Sequence, residues 1–74
     1  MATKEHLMEA ARSLRFSSQR ARTVRRLSEA IELESLLAER EARYEALTGE
    51  KLILGPMSPR EMQALRDAAP PSLV

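Results

Sequence analysis

Residues 20 to 47, RARTVRRLSEAIELESLLAEREARYEAL, contain neither glycine nor proline and repeat apolar side chains at helical spacing. A stretch with no punctuation and a 3.6-residue period reads as one uninterrupted helix. The expected element runs from about Gln19 to Thr48, thirty residues, or about 45 Å at the rise of an α-helix. Gly49 is its natural C′ residue, because glycine takes up the left-handed backbone that ends helices.

A first helix is expected from Lys4 to Phe16, capped by Thr3, with Leu7, Met8, Ala11 and Leu14 on its apolar face. Only Ser17-Ser18 separates it from the long helix, with Ser18 available as an N-cap. A turn there and a kinked or continuous helix both remain open. After Gly49 the segment EKLILGP loses the helical period, so residues 49 to 57 read as a link, extended over Lys51 to Leu54. MSPREM, residues 57 to 62, is a helix start: Ser58 at the N-cap, Pro59 first in the helix, Glu61 able to return a bond, and Met57 and Met62 at the staple positions. The third helix covers about 59 to 68, and residues 69 to 74, with Pro70-Pro71, read as a tail.

The long helix carries two apolar faces. Val24, Leu27, Ile31, Ala38 and Ala42 share one side at 100° per residue, and Leu33, Leu36, Leu37, Tyr44 and Leu47 share roughly the other. Within the second, Ala30, Leu33, Leu37, Arg40, Tyr44 and Leu47 are spaced 3, 4, 3, 4, 3, a coiled-coil seam with an arginine in it. Arg40 either meets a carboxylate across an interface or extends its stem over a hairpin seam with its head in water. Two faces need two sets of neighbours. The first helix, the third helix and Leu52-Ile53-Leu54 supply some, and a second chain would supply the rest.

A 74-residue chain buries only about 60% of its unfolded surface, so it depends on tight helix packing or on association. It has no cysteine, which excludes disulfides and thiolate metal sites and gives no sign of an oxidising compartment. No apolar run approaches the roughly 18 residues that span a bilayer, and no secretory h-region is present. A single small helical domain, residues 1 to 74, in the cytoplasm is the expectation. Of the twelve basic residues ten are arginine, a composition that fits a bacterial or phage origin.

The formal net charge of +1 conceals a reversal: residues 1 to 26 hold seven basic and two acidic groups, residues 27 to 50 two and seven. The cluster Arg20, Arg22, Arg25 and Arg26 suits phosphates, so nucleic-acid binding is one reading. It lacks the basic-region zipper pattern, because positions 26, 33, 40 and 47 alternate Arg and Leu, and the acidic half repels the same phosphates. An antiparallel homodimer through the long helix sets one chain's basic start beside the other's acidic half. Catalysis finds little support: His6 is the only histidine, and there is no phosphate loop, nucleophile elbow or metal-ligand cluster. No cofactor, metal or catalytic residue is expected. Arg15-x-x-Ser18 matches a basophilic kinase site, although capping explains Ser18 more simply.

The sequence therefore points to an all-α helical hairpin dominated by one long helix. Its expected function is that of a small non-enzymatic protein-binding module, an adaptor, assembly factor or inhibitor. The contact residues would be Leu33, Leu36, Leu37, Arg40, Tyr44, Leu47, Leu52, Ile53 and Leu54. The alternatives are a nucleic-acid-binding regulator using the basic cluster, and a structural subunit of a large assembly such as a virion.

Overall fold

A computed structural model describes residues 3 to 69. Its helices are α1 (Lys4–Thr23), α2 (Leu27–Thr48) and α3 (Pro59–Ala68). α1 and α2 pack along each other as a hairpin, and α3 rests against α1. The molecule is elongated, 48 Å by 26 Å by 19 Å. The tail expected from Pro70 onward lies outside the described residues.

The single helix expected over 19 to 48 is in fact broken at residues 24 to 26, and the first helix runs on past Phe16 to Thr23. Ser17 and Ser18 lie inside α1, where the Ser18 hydroxyl donates to the Arg15 carbonyl at 2.9 Å instead of capping a helix. The break is a Schellman closure. The Arg26 amide donates to the Ala21 carbonyl at 2.8 Å and the Arg25 amide to the Arg22 carbonyl at 3.1 Å. Arg25 occupies the left-handed position, at φ 63°, where glycine or asparagine is the usual signal. Arg26 then serves as the N-cap of α2 with no side-chain capping bond. The turn was hidden in the sequence because an arginine fills the position that glycine normally advertises.

Packing explains why the chain accepts that arginine. Along α1, Leu7, Ala11, Leu14, Ser18 and Ala21 repeat at 4, 3, 4, 3, and four of the five are buried. Beside the turn, Ala21 of α1 and Ala30 of α2 are both buried, and side chains this small allow close approach of the backbones. Ala11 and Ala30 are fully enclosed. Farther out, Ser18 is buried and Leu14 half-buried, and at the open end Leu7 and Tyr44 are both buried. The 3-4 seam of the sequence is thus buried or half-buried from Ala30 to Tyr44 in the hairpin, and only Leu47, at its end, stays open.

The local signals at the other ends are realised. The Thr3 hydroxyl accepts from the His6 amide at 3.2 Å, and Gly49 closes α2 at φ 74°. Ser58 and Glu61 form a full capping box with Pro59 in the first turn. Residues 49 to 58 form neither helix nor strand. Ala69 ends α3 in an extended conformation, the preference of a residue that precedes proline. Arg15, half-buried in α1, holds the link in place by donating to the Gly55 carbonyl. Its Nε is enclosed without an acceptor among the described residues.

Candidate docking surface

Closure of the hairpin divides the nine expected contact residues into three groups. Tyr44 is buried, and Leu33, Leu37, Arg40, Leu52 and Leu54 are half-buried within the chain's own packing. Leu36, Leu47 and Ile53 remain open, at 46%, 61% and 77% exposure. Leu36, Arg40, Arg43 and Leu47 form a ridge at spacings 4, 3, 4, within about 60° of arc on α2. It is apolar at both ends and basic in the middle. Among the described residues no carboxylate lies within ion-pair distance of Arg40 or Arg43.

On the other side of the seam, Leu27 and Ile31 are 56% and 59% exposed. They share about 60° of arc with Ala38 and Ala42, both also exposed. Thus α2 presents three faces: one covered by α1 and two open ones flanking it. The face expected from the sequence loses Val24, which ends α1 in the turn, and its other four members stay exposed among the described residues.

The basic cluster sits at the tip of the hairpin and is partly neutralised. Arg22 engages Glu34 through two bonds, one at 2.8 Å from Nη2 to the second carboxylate oxygen. This two-point contact raises the Arg22 pKa and lowers that of Glu34, with the hydrogen bond as the leading cause in both. Arg26 lies 3.7 Å from Glu29, a looser pair between exposed groups. Arg20 and Arg25 are exposed and have no ion-pair partner among the described residues. A cleft of about 280 Å³ beside the turn is lined by Phe16, Arg20, Val24, Arg26 and Glu29 among others.

At the open end, Lys4 lies 6.0 Å from the centre of the Tyr44 ring and 3.7 Å from Glu50. Tyr44 first and Glu50 second hold its ammonium above the ordinary 10.5. Ser18 is 3% exposed, so the kinase pattern ending on it is closed in the folded chain. Arg15 on the Gly55 carbonyl and Lys4 beside Tyr44 are contacts that the sequence did not specify. Each depends on a partner about forty residues away, beyond the reach of local spacing.

Among the described residues no three His, Cys, Asp or Glu side chains are grouped to hold a metal ion. No helix there is long and apolar enough to cross a membrane. No family model matches the chain, and neither a curated protein nor a solved structure matches it.

Proposed function

We propose that this protein is a small non-enzymatic binding module, an adaptor, assembly factor or inhibitor. The reading rests on the Leu36–Arg40–Arg43–Leu47 ridge. Two exposed leucines about three turns apart, bracketing two arginines without carboxylate partners among the described residues, match the pattern of anchors by which helices dock. The complementary surface is a helix or strand edge with an acidic centre between apolar residues. Arginine suits that role because its planar fork binds carboxylates at two points. Ile53, on the link, extends the apolar surface available to a partner. A cysteine-free chain needs no oxidising compartment, so the cytoplasm is the setting in which we place it.

The nucleic-acid reading keeps one favourable observation, the unpaired Arg20 and Arg25 at the tip. It is weakened by Arg22 and Arg26, whose charges are directed to Glu34 and Glu29.

Two measurements separate the readings. A photo-crosslinking side chain at position 36 is expected to give one discrete protein adduct in the native cytoplasm, lost when Arg40→Glu and Leu47→Glu are introduced together. Fluorescent duplex DNA, titrated at low and moderate salt, is expected not to bind. Steeply salt-dependent DNA binding, abolished by charge reversal of the four tip arginines, would replace the docking reading with a phosphate-binding one.

A further inference from the structure

We propose that the outer face of α2, Leu27–Ile31–Ala38–Ala42, is the interface of an antiparallel homodimer. The inference uses the opposite side of the seam from the docking ridge and does not depend on it.

The first argument is size. Leu27 and Ile31 occupy the start of the face and Ala38 and Ala42 its end, and all four are exposed. Leu27 and Ala42 are equidistant from the midpoint between Glu34 and Ser35, and so are Ile31 and Ala38. A twofold axis through that midpoint therefore sets each large side chain of one copy against an alanine of the other. Parallel pairing would oppose large to large and alanine to alanine, leaving a gap at one end. The face runs about 22 Å along the helix, so the contact is at the small end of stable interfaces and the dimer is a weak one.

The second argument is charge. The face begins beside exposed Arg25 and the loosely paired Arg26, whose contact with Glu29 is 3.7 Å, and ends beside exposed Glu41 and Glu45. The same twofold brings the basic tip of each copy to the acidic end of the other, twice per dimer. Glu34 does not oppose closure at the centre, because Arg22 of its own chain already holds it. A face that carries both halves of a complementary pattern, reversed about one point, is self-complementary, which is the requirement of an isologous interface. An unrelated partner would need only one of the halves.

Sedimentation equilibrium over a concentration series tests this, with circular dichroism confirming the fold of each variant. The native chain is expected to dimerise weakly. Ile31→Glu, at an exposed position, is expected to lower the association constant by about tenfold or more. Glu41→Arg with Glu45→Arg should weaken association, and adding Arg25→Glu and Arg26→Glu should restore it. Leu36→Glu with Leu47→Glu should leave it unchanged, since that ridge lies elsewhere.

Register is read by disulfide trapping in this cysteine-free chain. Under a mild oxidant, a mixture of Ile31→Cys and Ala38→Cys chains should form the mixed disulfide dimer. Each variant alone should not, because its own thiols would sit about 10 Å apart along the axis. A chain that stays monomeric throughout overturns the proposal. So does a dimer indifferent to Ile31→Glu, one lost with Leu36→Glu and Leu47→Glu, or trapping of like with like.

Discussion

Between α1 and α2 the chain reverses in three residues, Val24, Arg25 and Arg26, all of them bulky. Between α2 and α3 it takes the ten residues 49 to 58, with two glycines and a proline among them. The second connection is written in the local sequence: Gly49 and Gly55 at φ 74° and 72°, then a complete capping box. The first has no such signal. It is held by two backbone bonds and by the small residues that let α1 and α2 touch beside it. A local reversal works through its own residues, whereas this tight one is imposed by what the helices gain after it. That gain comes from burying a seam of Leu7, Ala11, Ser18, Ala21, Ala30 and Tyr44, which isolated helices would leave in water.

The comparison is broken most strongly by Ala30→Leu. Ala30 is fully enclosed, and a leucine there must push the helices apart beside the turn, at a cost of about 2 kcal/mol. Urea titration should show the midpoint falling and α1 and α2 losing protection together. The second connection responds differently. Ser58→Ala removes the N-cap of α3 and should cost about 1 kcal/mol, seen by hydrogen exchange as fraying of α3 with the hairpin intact.

Arg25→Gly sharpens the contrast in the opposite direction. It relieves the left-handed arginine but adds freedom to the unfolded chain, for a net stabilisation of about 0.5 kcal/mol. A destabilised variant would show that the arginine side chain itself holds the turn. The smallest effect belongs to the Arg22–Glu34 contact, which ties the turn-proximal ends of the two helices together. Because Glu34 titrates below its ordinary 4.5 in the folded chain, its contribution is present above that pH and disappears as pH falls through the lower, folded value. Glu34→Gln should remove that part of the acid dependence. The change is slight, since the pair is exposed and screened.

The boundaries that could be read from the residues alone are those marked by a side-chain cap or by glycine, which the turn at residues 24 to 26 lacks. Thr3 with His6, Ser58 with Glu61 and the stop at Gly49 all belong to this class. Of the nine residues expected to meet a partner, Leu36, Leu47 and Ile53 are the ones the fold leaves exposed. For the 3-4 seam the residues left a partner interface and a hairpin seam both open, and the fold buries Tyr44 and half-buries Leu33, Leu37 and Arg40 while Leu47 stays exposed. Periodicity identifies which residues share a face and is silent on what covers it: α1 and a second chain would demand the same pattern.

The sequence by itself determined an all-α chain, its caps, and the stripes that its helices carry, because these follow from bonds and side-chain angles inside each segment. Only the tertiary structure decided where the long helical run breaks and which stripe is buried. A left-handed arginine costs about 1 kcal/mol, too little to forbid a turn, and nothing local favours one there. Closing a seam of small residues along two helices outweighs that cost, and it can do so only once both helices are in place.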